Sequence, residues 1–100
     1  DGRYRLCGEE VNMHGGVVRT ASGGLAGSTL SLDAAVRNMV AQAGITPADA
    51  IHMASLHPAR LLGIDHQLGS LKPGKRANMI ALDEGLYLQQ IWIQGLALPL

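Results

Sequence analysis

Apolar positions along the chain change their spacing twice, dividing it into a β-rich start, a helical middle and a β-rich end. Residues 3–7, Arg3-Tyr4-Arg5-Leu6-Cys7, alternate polar and less polar side chains, the two-residue period of a strand. Gly8-Glu9-Glu10 can turn. Val11-Asn12-Met13 and Val17-Val18-Arg19 flank His14-Gly15-Gly16, and a Gly-Gly pair between two β-favouring runs predicts a hairpin. From residue 31 the period lengthens. Leu32, Val36, Met39 and Val40 stand at i, i+4, i+7 and i+8, one face of a helix over 31–43, and Gly44 is placed to close it in the left-handed conformation. Thr46-Pro47 opens a second helix, with Thr46 as cap and Pro47 first in the helix, where a missing N–H costs nothing. Ala50, Met53, Ala54 and Leu56 continue its apolar face to about residue 57. Pro58 breaks it and starts a further helical turn closed by Gly63. Beyond Leu68 the pattern is β again, with strands at 77–82 and 86–93, the second ended by Gly95.

Between the first and second patterns lies Gly23-Gly24-Leu25-Ala26-Gly27-Ser28-Thr29-Leu30-Ser31-Leu32, where the rest of the chain is hinged. Three glycines in five positions let a backbone turn sharply and approach a ligand closely. Ser28, Thr29 or Ser31 can cap the following helix. The stretch therefore reads as a glycine-rich loop. It serves either as a tight connection or as a set of N–H donors for a polar or anionic ligand beside the positive end of a helix.

Composition narrows the classes of function. The chain has 100 residues, of which 47% are hydrophobic and only 16% charged, below the roughly 25% of an average protein, so much of its surface is suited to cover by other protein. Phe is absent, and a core must be built from Leu, Ile, Val, Met and Ala. The formal net charge is zero without blocks of like charge, which argues against a nucleic-acid or membrane-surface partner. No apolar run has the length of a membrane span. Cys7 is the single cysteine, so no internal disulfide forms, and a cytoplasmic compartment is the default. A start at Asp1-Gly2 and an apolar end, Ala97-Leu98-Pro99-Leu100, are expected of a C-terminal piece of a longer protein.

Few residues carry recognisable chemistry. His14, His52, His57 and His66 form neither His-x-His nor a His-Glu-x-x-His pair, so no metal site is expected from this chain alone. Gly69-Ser70-Leu71-Lys72-Pro73-Gly74-Lys75-Arg76 nearly spells a nucleotide P-loop. Arg76 stands where Ser or Thr would hold magnesium, and a strand follows in place of a helix. Pro73-Gly74 fits a type II turn better. Cys7 has no activating neighbour in sequence and reads as a packed thiol. Ser28 lacks the Gly-x-Ser-x-Gly elbow of a hydrolase nucleophile.

Four segments in order carry a resemblance: Leu25-Ala26-Gly27-Ser28-Thr29-Leu30, Val36-Arg37-Asn38, Met53-Ala54-Ser55-Leu56-His57-Pro58-Ala59-Arg60, and Gly69-Ser70-Leu71-Lys72-Pro73-Gly74-Lys75-Arg76-Ala77-Asn78. Over nearly its whole length the chain resembles the C-terminal part of the N-acetylglucosamine-6-phosphate deacetylase family, in the amidohydrolase superfamily. The resemblance implies an α/β fold: residues 1–63 form the last portion of a (β/α)8 metal-dependent hydrolase barrel, and residues 64–100 supply C-terminal strands of a small β-sandwich domain. It implies deacetylation of N-acetylglucosamine 6-phosphate to glucosamine 6-phosphate and acetate. A divalent metal, zinc or similar, activates the water, and an aspartate moves the proton. The family's metal ligands and aspartate lie in elements absent from these residues. The fragment alone is thus expected to bind no metal, to contribute no catalytic residue and to be inactive. What it retains is the substrate-contacting stretch, at Leu25, Ala26 and Gly27. The implied partners are a small amino-sugar phosphate, the remainder of the same enzyme, and further copies in a homodimer or homotetramer.

Two rivals share part of the pattern. Another amidohydrolase acting on a cyclic or acyl amide would keep Pro58-Ala59-Arg60 and Gly74-Lys75 without needing Leu25-Ala26-Gly27-Ser28. A non-catalytic module would use the glycine-rich stretch to bind a ligand or partner.

Overall fold

Strand-forming and helix-forming residues segregate along the chain as their periods require. The computed structural model describes residues 2–100, which fall into two compact units, one ending at Ser31 and the other running Leu32–Leu100.

The first unit is a meander of four antiparallel strands in sequence order, β1 (Gly2–Leu6), β2 (Glu9–His14), β3 (Val17–Thr20) and β4 (Leu25–Ser28). Gly15 (φ 59°) and Gly16 (φ 79°) form the two-residue turn of β2 and β3, with His14 facing Val17. Positive φ at both positions matches the twist of the flanking strands, which is why Gly-Gly predicted this hairpin correctly. The turn before it corrects the expected strand at 3–7 and turn at 8–10. Cys7 (φ 52°) and Gly8 (φ 80°) are the two turn residues, Leu6 faces Glu9, and Glu9-Glu10 already belong to β2. Cys7 is exposed, not packed.

The glycine-rich stretch is also corrected. Leu25–Ser28 is not a loop but the fourth strand, paired to β3. Its glycines leave period-2 alternation invisible; pairing with a neighbour, more than local propensity, makes it extended.

In the second unit, α1 (Leu32–Ala43) buries Val36. Gly44 follows in the left-handed conformation at φ 69°, and the Ile45 N–H donates back to the Met39 carbonyl at 3.2 Å. The second helix, α2 (Pro47–Ala54), starts as expected: Thr46 Oγ1 accepts from the Asp49 N–H at 3.2 Å and Pro47 enters in the first turn. It ends earlier than expected. Ser55 (φ −134°, ψ −69°) interrupts the helix, and its hydroxyl donates to the Ile51 carbonyl at 2.6 Å. Pro58 therefore lies in the first turn of α3 (Leu56–Leu61), where its missing N–H goes unneeded. Gly63 (φ 72°) closes this helix.

Residues 64–78 are turns. Pro73-Gly74 forms the expected type II turn, with φ 91° at Gly74 and the Lys75 N–H donating to the Lys72 carbonyl at 3.1 Å. An antiparallel sheet follows, β5 (Met79–Leu82), β6 (Leu88–Ile93) and β7 (Leu96–Leu98). Gln94 (φ 50°) and Gly95 (φ 79°) repeat the two-residue turn and lead into β7, so Gly95 ends one strand only to begin another. The Asn78 side chain supports this turn by accepting from the Gln94 N–H at 2.8 Å. No helix among the described residues is long and apolar enough to cross a membrane.

Candidate functional site

Leu25, Ala26 and Gly27 occupy β4, which pairs with β3 and is the last strand of this sheet among the described residues. The register adds a feature. Val18 faces Gly27, but the next residue of β3, Arg19, faces Leu25, so Ala26 is an extra residue on β4. Such a bulge twists a strand and re-aims its neighbours, and bulges concentrate at sheet edges and beside active sites.

Two threonines hold the ends of this strand. At its start the Thr20 N–H donates to the Gly24 carbonyl at 2.8 Å, and the Gly24 N–H donates to Thr20 Oγ1 at 3.2 Å. Arg19 Nη1 also donates to the Gly23 carbonyl at 3.0 Å. At its end the Thr29 hydroxyl donates to the Gly16 carbonyl at 2.8 Å, thirteen residues back in the β2–β3 turn. Ser28 Oγ accepts from the Leu30 N–H at 3.0 Å. Ser28 is thus a local turn acceptor, and neither it nor Thr29 serves as the expected helix cap.

The polar residues Arg5, Ser28 and Thr29 join apolar side chains around a hollow on the first sheet. Tyr4, Leu6, Val11, Met13, Val18 and Gly27 complete this hollow of about 340 Å³. Gly27 is half-buried there, and a Cβ added to it would meet no atom within 4 Å. Gly27 therefore widens the hollow without being required by packing. Leu25 is 73% exposed, and Ala26 is half-buried. All three predicted residues thus share one bulged strand, but Gly27 alone lines the hollow.

The remaining candidates take structural places. Lys75 Nζ donates to Ser70 Oγ at 2.6 Å inside the P-loop-like segment, which holds neither helix nor strand. The His52 and His57 rings stand 6.1 Å apart, edge to face. Among the described residues no group of three or more His, Cys, Asp or Glu is arranged to hold a metal ion. The bulge at Ala26 and the reach of Thr29 to Gly16 left no mark in the sequence, because both depend on register.

The profile of the amidohydrolase family matches residues 8–97. The chain belongs to the amidohydrolase family. This amidohydrolase chain is 81% identical over 95 residues to the N-acetylgalactosamine-6-phosphate deacetylase of Escherichia coli O157:H7, a match covering 95% of the chain and 25% of that protein. It is 46% identical over 95 residues to the N-acetylglucosamine-6-phosphate deacetylase of Vibrio furnissii, covering 95% of the chain and 24% of that protein. Its fold matches the crystal structure of N-acetylglucosamine-6-phosphate deacetylase from Pasteurella multocida with a TM-score of 0.86 and 27% identity, over 97% of the chain and 26% of that structure. The chain spans about a quarter of the length of these three, and 57% of a further relative from Escherichia coli K12.

Proposed function

We propose that this chain is the C-terminal part of a hydrolase that removes the acetyl group from an N-acetylhexosamine 6-phosphate, releasing acetate and the amino-sugar phosphate. The observation that carries this reading is the 81% identity to the Escherichia coli O157:H7 deacetylase. That identity, against 46% to the glucosamine-specific name, favours N-acetylgalactosamine 6-phosphate over its epimer N-acetylglucosamine 6-phosphate. Leu25, Ala26 and Gly27 line the sugar-phosphate pocket through backbone groups. The bulge at Ala26 supports that role.

A divalent metal would supply an activated water in such an enzyme. In this reading the metal ligands lie in the remainder of the enzyme, and this chain contributes binding and shape. Residues 1–63 belong in this reading to the closing part of a (β/α)8 barrel and residues 64–100 to a β-sandwich. The all-β run from Met79 to Leu98 supports the second assignment. A cytoplasmic homodimer or homotetramer is the assembly proposed.

The test is a fusion in which this chain replaces the matching residues of the Escherichia coli O157:H7 deacetylase. Acetate release is measured from both epimers. The fusion is expected to hydrolyse both, with the higher kcat/KM for N-acetylgalactosamine 6-phosphate. Acetate from neither would sink the reading, and a reversed preference would overturn the choice of epimer. Gly27→Ala in the same fusion is expected to raise KM about tenfold, equivalent to about 1.4 kcal/mol of binding, without lowering the melting temperature. The isolated 100-residue chain is expected to release no acetate.

A further inference from the structure

The Thr29 hydroxyl is the polar link between the end of β4 and the turn that joins β2 to β3. Its bond to the Gly16 carbonyl is 2.8 Å long and spans thirteen residues. Gly16 itself is held in the left-handed conformation at φ 79° by the hairpin. That makes its carbonyl a fixed anchor, since the two-residue turn sets its direction. β4 needs such an anchor. It is a short strand paired only with β3 among the described residues, and its register is broken between Val18 and Arg19. A bulge can migrate along a strand with little side-chain alternation to pin it, and Leu25-Ala26-Gly27-Ser28 has little. Thr20 fixes the start of β4 through Gly24, and the Thr29 bond fixes its end, so the extra residue is held at Ala26.

We propose that Thr29 is a positioning residue for substrate binding: by tying β4 to the Gly16 carbonyl it holds the bulge at Ala26 and aims the backbone groups of Leu25–Gly27. This rests on the reading that those residues line the sugar-phosphate pocket. The Thr29 hydroxyl donates to a backbone carbonyl, and its assigned part is to place β4. Its removal therefore weakens binding of substrate and transition state together, which raises KM and leaves kcat nearly unchanged.

The experiment uses the fusion enzyme with N-acetylgalactosamine 6-phosphate as probe. Thr29→Val keeps the shape and removes the donor; Thr29→Ser keeps the donor and removes the methyl. Thr29→Val is expected to raise KM about tenfold with kcat changed less than threefold, and Thr29→Ser is expected to restore KM to within about threefold of the parent. An unchanged KM in Thr29→Val overturns the proposal. So does impairment of Thr29→Ser equal to or greater than that of Thr29→Val, which would show that the hydroxyl donor alone does not carry the effect. A fall in kcat matching the rise in KM, with a lowered melting temperature, also overturns it in favour of a purely structural role. Gly27→Ala separates this from failure of the pocket reading. If Gly27→Ala raises KM and Thr29→Val does not, the Thr29 proposal alone fails. If neither does, the pocket reading fails with it.

Discussion

In the sheet of β1–β4 one hydrophobic side chain among the described residues, Val11, is buried, at 3% exposure. In residues 32–100 the buried ones are Val36, Ala50 and Ala59, and all three stand on helices. Both regions use the same two-residue hairpin turn, at Cys7-Gly8, Gly15-Gly16 and Gln94-Gly95. They differ in how order is kept beyond the turn. The first region relies on polar links to backbone carbonyls, made by Arg5, Arg19 and Thr29. The second has such links too, as from Arg37 to the Leu86 carbonyl, and adds a close approach of Gly69 to Ala59 and Leu56. Hydrogen bonds at an exposed sheet are worth about 1 kcal/mol each and are local. Close packing is costly to disturb and transmits strain. Substitutions in the second region should therefore do the greater damage.

The largest effect is expected at Gly69. It sits at φ 101°, and a Cβ there would come within 2.9 Å of the Ala59 side chain and 3.1 Å of the Leu56 backbone. Gly69→Ala combines overpacking with a left-handed non-glycine residue, for a loss of about 3 kcal/mol. Hydrogen exchange of the fusion enzyme should show lost protection in α3 and residues 64–76. Unchanged protection would break the contrast between the regions.

Arg37 comes next. Its guanidinium binds Asp33 at 3.0 Å and the Leu86 carbonyl at 3.1 Å, and lies 4.2 Å from the centre of the Tyr87 ring. It thereby joins α1 to the turn between β5 and β6. Arg37→Met keeps the aliphatic stem and should cost roughly 1–2 kcal/mol. The loss should read as faster exchange in residues 83–88, with β1–β4 unaffected. The smallest effect belongs to the first region. Arg3 and Glu10 are 3.8 Å apart with side chains 82% and 55% exposed, and Arg3→Gln should change stability by less than about 0.5 kcal/mol. A larger change would show that exposed polar links carry more of that sheet than argued.

Local chemistry was legible in the sequence where one residue type has a single good conformation. Gly15-Gly16, Gly44, Thr46-Pro47 and Pro73-Gly74 each stand where their dihedrals or missing N–H predicted. Reading failed where partners decide. Leu25–Ser28 looked like a loop because glycine hides alternation, yet β3 recruits it as a strand. Pro58 looked like the break between helices, but Ser55 supplies it. Leu96–Leu98 is three residues long and becomes a strand through pairing with Ile91–Ile93. The proposed site stretch Leu25–Gly27 rests on resemblance, whereas the bulge and the Thr29 bond arise from register. Neither has a spacing that a linear reading can see.

Cys7 gives the first sheet a practical use. The single thiol of the chain is exposed at the apex of the β1–β2 turn, beside Gly8 and away from Leu25–Gly27 in sequence. A fluorophore or spin label attached there would occupy one defined place on a tight turn. Its rotational freedom in this chain would report on whether the meander is formed.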